Sequence, residues 1–327
     1  MSVPRISVLY LPHPEGPRLF DPWGRDVVEL VGERHELLIF DRDQSPARQL
    51  AAADAVIDHG GASGTRAMAD AAGRARLWQI LGTGFDHFDL EYWRSRSIPV
   101  ANCPGALTAV ALADAAMMLL LMVARRYPEA WSDLRAGRFY TPAGTELAGL
   151  RLCVVGYGAS GRELARRARA FGMSVAAIDV VPLPEADCAT HGLAFAGAPA
   201  DLDEQLALAD AVSLHLHLDA TTRHTIDARR LALMKPSAFI VNVARGELVD
   251  EDALVRALSE GALGGAGLDT FAEEPLAAGS PLLRLQNVVV TPHIAGVTRQ
   301  ASRRRAEIAA ENVDRVAAGL EPLHRLV

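Results

Sequence analysis

The sequence predicts an α/β protein built from two doubly wound parallel-sheet domains, one inserted into a discontinuous other. Three observations carry this expectation. Short β-rich runs alternate with longer amphipathic or Ala-rich runs along the whole chain. A glycine-rich hexamer follows an apolar strand near the middle. A last helical run comes after the second strand series has ended. At 327 residues the chain is also too long for one ordinary core, so two domains are expected.

The first series reads as strands at Ile6–Tyr10, Leu37–Phe40, Ala55–Asp58, Leu77–Leu81 and Pro99–Ala101, with helical runs between them such as Pro46–Ala53 and Arg66–Ala72. A long helix follows, about Leu107 to Arg126. The second series begins at Leu152–Val155 and continues with Val175–Ile178, Ala211–His215, Ala238–Val243, Gly265–Leu268 and Val288–Val290. The terminal helix, roughly Thr298–Ala318, comes too late for the second sheet and is expected to return to the first. The expected domains are therefore residues 1–103 with 294–327, and residues 104–293 between them. Two chain crossings would form a hinge, with the site in the cleft.

Composition excludes several function classes. Half the residues are hydrophobic and 22% are charged, which fits a folded globular chain. No apolar run reaches the ~20 residues of a membrane span. The most apolar stretch, Ala109–Ala124, contains Asp114 and stops at Arg125-Arg126. Met1-Ser2-Val3-Pro4-Arg5 leads straight into a strand without a signal-peptide layout, so a cytoplasmic location is expected. A net charge of -7 gives no electrostatic footprint for nucleic acid. Cys103, Cys153 and Cys188 are odd in number and form no CxxC pair, against a disulfide framework and a zinc site. His215 and His217 lie two apart on a strand with no third ligand in sequence, so no metal is expected.

Gly156-Tyr157-Gly158-Ala159-Ser160-Gly161 is a GxGxxG. Alone it is a weak signal. Its context strengthens it: it follows the strand Leu152–Val155, opens the helix Arg162–Ala170, and precedes the strand Ser174–Ile178, which ends at Asp179. The glycines would give a tight turn, close approach of a pyrophosphate, and helix-on-strand packing. Asp179 lies 18 residues past Gly161, close to the ~20 expected for the acid that accepts ribose hydroxyls. The same carboxylate repels a 2′-phosphate, and Val180 and Val181 offer no cation to hold one. NAD is expected over NADP.

Three later stretches carry polar groups at the C-terminal ends of apolar runs: Phe239 to Gly246 with Arg245, Gly267 to Leu276 with Asp269, Glu273 and Glu274, and Val290 to Gly296 with His293. Strand C-termini are where open α/β sheets bind ligands. Hydride arriving at a ketone leaves alkoxide character on oxygen, which needs a proton from a group titrating near neutrality. Histidine suits this. A paired carboxylate favours the charged ring and keeps it loaded for reduction. Arginine offers a planar, always-charged fork for a carboxylate.

At these residues the chain resembles the D-isomer-specific 2-hydroxyacid dehydrogenases, the family of phosphoglycerate, glycerate and formate dehydrogenases. The resemblance covers about residues 75 to 312. It takes in Gly82-Thr83-Gly84-Phe85-Asp86, Asn102-Cys103-Pro104-Gly105, the GxGxxG, Val212-Ser213-Leu214-His215 and the three stretches above, in order. The resemblance implies a Rossmann NAD domain inserted into a flavodoxin-like substrate domain, and a homodimer formed through the cofactor domain. It implies that Arg245 binds the substrate carboxylate and keto oxygen, that His293 is the general acid and base, and that Glu274 hydrogen-bonds His293. Glu273 is the rival, but the residue before the proline is the family position. It implies that amides around Thr83 and Gly84 grip the carboxylate. The implied cofactor contacts are Gly156, Gly158, Ala159, Ser160, Gly161, Asp179, His215, Val243, Ala244, Arg245, Asp269, His293 and Ala295, with Asp269 on the nicotinamide carboxamide.

The chain departs from the family pattern at His217, where proline is usual, and at Leu112-Ala113-Asp114, where Val-Ala-Glu is usual and the register differs by one. The loop Asp58–Ser63 lies where relatives vary with substrate, and its sequence assigns no particular acid. Two other functions compete with the dehydrogenase. One is a non-catalytic NAD-sensing protein, since this fold also serves transcriptional corepressors. The other is phosphite oxidation, whose enzymes carry Lys where Thr83 stands.

Overall fold

A computed structural model describes residues 3–13, 21–60 and 64–327. Gly61, Ala62 and Ser63 of the substrate-variable loop lie outside them. The chain divides into two compact units, Met1–Leu107 with Val297–Val327, and Thr108–Gly296. Each limit falls a few residues beyond the sequence expectation, because a short 3-10 turn at Gly105–Leu107 packs on the terminal helix.

Unit 1 runs β1 (Ser7–Leu11), α1 (Trp23–Gly32), β2 (Glu36–Ile39), α2 (Pro46–Ala52), β3 (Ala55–Asp58), α3 (Arg66–Ala71), β4 (Trp78–Ile80), α4 (Leu90–Ser95) and β5 (Val100–Ala101). Its sheet is parallel in the order β2-β1-β3-β4-β5, the flavodoxin-like arrangement. β3 is buried along its whole length, as a central strand covered on both faces must be.

Unit 2 runs α5 (Ala109–Ala124), α6 (Tyr127–Arg135), β6 (Arg151–Val155), α7 (Ala159–Ala170), β7 (Ser174–Ile178), α8 (Glu185–His191), β8 (Phe195–Gly197), α9 (Leu202–Leu208), β9 (Ala211–Leu214), α10 (Ala228–Leu231), β10 (Phe239–Asn242), α11 (Glu251–Ser259), β11 (Gly265–Leu268) and β12 (Val288–Val290). The seven strands are parallel in the order β12-β11-β10-β9-β6-β7-β8. The order reverses between β6 and β9, the switch point at which such sheets bind dinucleotides. α5 lies against β10, β11 and β12. Leu119 fits over Gly267 and Val123 over Gly265, so the glycines of β11 set how closely this apolar helix approaches.

The terminal helix, α12 (Arg299–Ala317), belongs to unit 1. Its Ala306, Ala309 and Val313 bury against Val8 and Tyr10 of β1 and Val27 and Val31 of α1. Ala and Val along one face keep the helix close to the sheet while Arg and Glu occupy the other.

Two features differ from the sequence expectation. The run read as one helix to Arg126 ends at Ala124, where Arg126 takes a left-handed conformation (φ 51°) and Pro128 sits in the first turn of a new helix, α6. β8 is a strand that periodicity did not show, since its three residues include a glycine and are only half-buried. Among the described residues no helix is long and apolar enough to cross a membrane.

Candidate active site

The end of β6 turns sharply into α7. Gly156 has φ +93°, and a Cβ on it would stand 2.6 Å from the His215 carbonyl oxygen. A Cβ on Gly161 would stand 2.2 Å from the Gly156 carbonyl oxygen. Only glycine lets the turn close on both β9 and its own helix. Around Gly158 an added Cβ meets nothing within 4 Å, so the backbone there is open to a ligand. The N-terminus of α7 points its amides at that space, a ready site for phosphate oxygens. These residues fit a bound dinucleotide.

Asp179, just past β7, turns back to this site. Its Oδ2 accepts the Tyr157 N–H at 2.5 Å and its Oδ1 the Val181 N–H at 2.9 Å. It is therefore more than a solvated strand-end acid, because the glycine-rich turn orients its carboxylate. Ser160 Oγ lies 3.0 Å from His215 Nδ1, and His215 Nε2 lies 3.0 Å from Ser213 Oγ. Burial lowers the His215 pKa to about 4. The ring is neutral near pH 7, and it links the first turn of α7 to β9 without carrying charge.

The second cluster lies at the C-terminal ends of β10, β11 and β12. Asn242 ends β10. Its Nδ2 donates to the Arg245 carbonyl oxygen at 2.7 Å, and its Oδ1 accepts the Ala244 N–H at 3.1 Å. The loop Val243-Ala244-Arg245 is thereby fixed. Arg245 Nη1 donates to the Ala244 carbonyl oxygen at 2.8 Å. Gly246 then passes so close to the next loop that a Cβ would stand 1.8 Å from the Phe271 carbonyl carbon. The Phe271 N–H donates to Glu274 Oε1 at 3.0 Å.

Glu274 Oε2 meets His293 Nδ1 at 2.7 Å. The rival Glu273 is exposed, as Glu274 is, but it is Glu274 that reaches His293. Burial pushes the Glu274 carboxyl up, but the hydrogen bond and charge of His293, the Phe271 N–H and the Arg245 charge together hold it below the usual carboxylate range. His293 itself has φ +52°, a conformation non-glycine residues adopt only when their surroundings impose it. Asp269 does the imposing. It is 1% exposed and accepts Thr291 Oγ1–H at 2.6 Å, the Ile294 N–H at 2.9 Å and the Ala295 N–H at 2.8 Å. Its carbonyl oxygen accepts the His293 N–H at 2.9 Å. Burial raises the Asp269 pKa despite these bonds.

Thr83 and Gly84 lie in unit 1, after β4. Asn102 Nδ2 donates to the Thr83 carbonyl oxygen at 2.7 Å. Thr83 Oγ1 is buried and has no hydrogen-bond partner among the described residues.

The structure thus gathers Gly156, Gly158, Ala159, Ser160, Gly161, Asp179 and His215 around the ends of β6, β7 and β9. It gathers Val243, Ala244, Arg245, Asp269, Glu274, His293 and Ala295 around the ends of β10, β11 and β12. Sequence reasoning passed over Asn242 and Thr291, which fix the loops carrying Arg245 and His293. Their signal was available: each is a polar residue at the end of an apolar strand.

A dinucleotide cradle at a sheet switch point, beside an arginine and a carboxylate-paired histidine, defines an NAD(P)-dependent dehydrogenase. The family model for the NAD-binding domain of the D-isomer specific 2-hydroxyacid dehydrogenases matches residues 117–295. A glyoxylate reductase of Thermofilum pendens is 38% identical over 259 residues, covering 77% of this chain and 75% of the relative. A crystal structure of a Thermus thermophilus protein superposes with TM-score 0.85 at 36% identity, covering 98% of this chain and all of that one. A D-lactate dehydrogenase from Aquifex aeolicus, complexed with NAD and lactic acid, gives TM-score 0.81 at 28% identity, covering 95% and 96% of the two chains. The chain belongs to the D-isomer specific 2-hydroxyacid dehydrogenase family.

Proposed function

We propose that the protein interconverts a small 2-keto acid and its D-2-hydroxy acid using NAD(H), with Arg245, His293 and Glu274 as its catalytic groups. The 2.7 Å pairing of Glu274 with His293, on a loop adjoining that of Arg245, carries this reading. NADH, when bound, supplies the hydride to carbon 2. Arg245 holds the carboxylate and keto oxygen through its fork of N–H donors. Amides around Thr83 and Gly84 hold the carboxylate as well. With Nδ1 engaged by Glu274, His293 uses Nε2–H to give the developing alkoxide its proton, and Nε2 takes that proton back in oxidation. Glu274 holds the ring in this orientation and favours its charged form. Asp269, besides fixing the His293 loop, is assigned to the nicotinamide carboxamide. Val243, Ala244 and Ala295 line the ring's site. Ser160 and His215 shape the pyrophosphate turn.

The test is NADH and NADPH consumption with glyoxylate, hydroxypyruvate, pyruvate, phenylpyruvate and 3-phosphohydroxypyruvate. Turnover of at least one supports the enzyme; binding of NADH without turnover of any favours the corepressor-like reading. Asp179 is assigned to the ribose hydroxyls, so NADH should be preferred to NADPH. Asp179→Asn combined with Val180→Arg should shift that preference toward NADPH, and equal use of both cofactors by the unmodified protein would remove the basis for it.

The protein is proposed to act as a homodimer through its cofactor unit. Tyr127, Trp131 and Leu134 of α6 and the following Phe139 and Tyr140 are all exposed on that unit, an apolar patch that a second copy would cover. Light scattering should give twice 34.9 kDa, and Trp131→Glu should give the monomer. A monomeric unmodified protein at micromolar concentration would count against the dimer. Cys103, Cys153 and Cys188 are free thiols, which suits the proposed cytoplasmic, reducing compartment.

A further inference from the structure

Arg305 is the unusual cation of unit 1. It lies on α12 and is only 6% exposed. Its guanidinium sits 4.1 Å over the ring of Trp23. Its Nε–H is buried without an acceptor, and among the described residues no carboxylate lies within ion-pair distance of it. Two outward arginines of the same helix do have carboxylate partners: Arg303 pairs with Glu29 at 2.8 Å and Arg315 with Glu311 at 3.7 Å. Burial lowers the Arg305 pKa to about 10, so it remains a cation at neutral pH. A buried charge without a counter-charge is costly, and the stack on Trp23 offsets only part of that cost.

The neighbours do not neutralise it. Burial holds the Cys103 thiol up at about 12, so it is not a thiolate. His59, whose ring stacks 4.8 Å from Trp23 and whose Nδ1 lies 2.7 Å from the Tyr10 hydroxyl, is driven down to about 3 by burial and is neutral. The charge therefore stands uncompensated at the C-terminal edge of the sheet, the edge where such folds take ligands. It also stands near the proposed carboxylate grip. Cys103 Sγ lies 3.9 Å from the Arg305 backbone carbonyl oxygen and its thiol feels the guanidinium charge, and the Cys103 N–H donates to the Gly82 carbonyl oxygen at 3.1 Å, one residue before Thr83. Thr83 Oγ1 is another buried polar atom on this edge, with no hydrogen-bond partner among the described residues. One ligand with two anionic ends would serve both.

We propose that Arg305 binds a second anionic group of the substrate, so that the preferred 2-keto acids are dianions bearing a carboxylate, phosphate or sulfonate beyond carbon 2. This rests on the 2-keto acid reading above and narrows it. The distinguishing measurement compares kcat/KM for pyruvate with that for oxaloacetate, 3-phosphohydroxypyruvate and 3-sulfopyruvate, in the unmodified protein, Arg305→Met and Arg305→Lys. A charge-assisted contact predicts that at least one dianion exceeds pyruvate by about tenfold or more. Arg305→Met should lose that advantage mainly through KM while leaving pyruvate within about twofold, and Arg305→Lys should keep part of it. The three dianions separate the carboxylate, phosphate and sulfonate sources. Malonate and inorganic phosphate should raise the Tm of the unmodified protein and not that of Arg305→Met. No dianion preference in the unmodified protein, or an equal loss on pyruvate and dianions in Arg305→Met, would overturn the proposal and leave Arg305 as a packing residue. If the unmodified protein reduces no 2-keto acid, the proposed reaction fails instead, and the anion-dependent Tm still decides the site. Should Arg305→Met not fold, the substrate preference of the unmodified protein and of Arg305→Lys decides it.

Discussion

Replacing His293 with Ala should lower kcat/KM for 2-keto acid reduction by about 10²–10⁴ at every pH, since the proton donor itself is gone. Glu274→Gln should cost less and do something different. It keeps the shape beside His293 Nδ1 but removes the charge that favours the protonated ring. The variant's deficit should therefore be full at neutral pH and shrink in acid, where protonation removes the same charge from Glu274 of the unmodified protein. Because the Glu274 carboxyl is held below the usual range, its pairing is present at neutral pH and disappears only as acid protonates it. NADH binding, followed by fluorescence, should survive in both variants. Superimposable pH profiles for Glu274→Gln and the unmodified protein would show that the pairing does not set the protonation state used in catalysis.

Gly246→Ala should be the most damaging small substitution in unit 2. The added methyl would stand 1.8 Å from the Phe271 carbonyl carbon, 2.0 Å from its oxygen and 2.4 Å from the Ala272 nitrogen. All three are backbone atoms, so no side chain can rotate aside. Separating the loops should cost about 1–3 kcal/mol or more and lower the Tm by several degrees. The same movement displaces Arg245 on one side and the Phe271 N–H that orients Glu274 on the other. A shift of about 1 Å at such groups costs on the order of 10²-fold in rate. The expected signature is a joint loss of Tm and kcat/KM with NADH binding largely kept. Unchanged melting and kinetics would mean that the two loops do not approach this closely.

Much of the site was legible because its chemistry falls at strand ends, where a short apolar run stops at a polar residue. Gly156 to Gly161, Asp179, Arg245, Glu274 and His293 all follow that grammar. Part of what escaped depends on contacts between segments far apart in sequence, and part on local backbone geometry. Arg305 reads as one more charge on a solvated helix face, and only the packing of α12 against α1 shows it buried beneath Trp23. Asn242 and Thr291 look like ordinary strand-end residues until their side chains are seen holding the loops beyond them. The helix α6 was not read because its residues are mixed in polarity, and the left-handed turn at Arg126 that begins it is a local backbone event.

The insertion of one unit within the other also sets a timetable for synthesis. The first five strands leave the ribosome early, but the helix that covers Val8, Tyr10, Val27 and Val31 is encoded at the far end of the chain. Unit 2 is complete by Gly296 and is free to fold before unit 1 has its last helix. A message cut short after that point would therefore yield a finished cofactor unit attached to an unfinished neighbour, its apolar sheet face uncovered. The segment after Gly296 therefore decides when residues 1–107 can close their core.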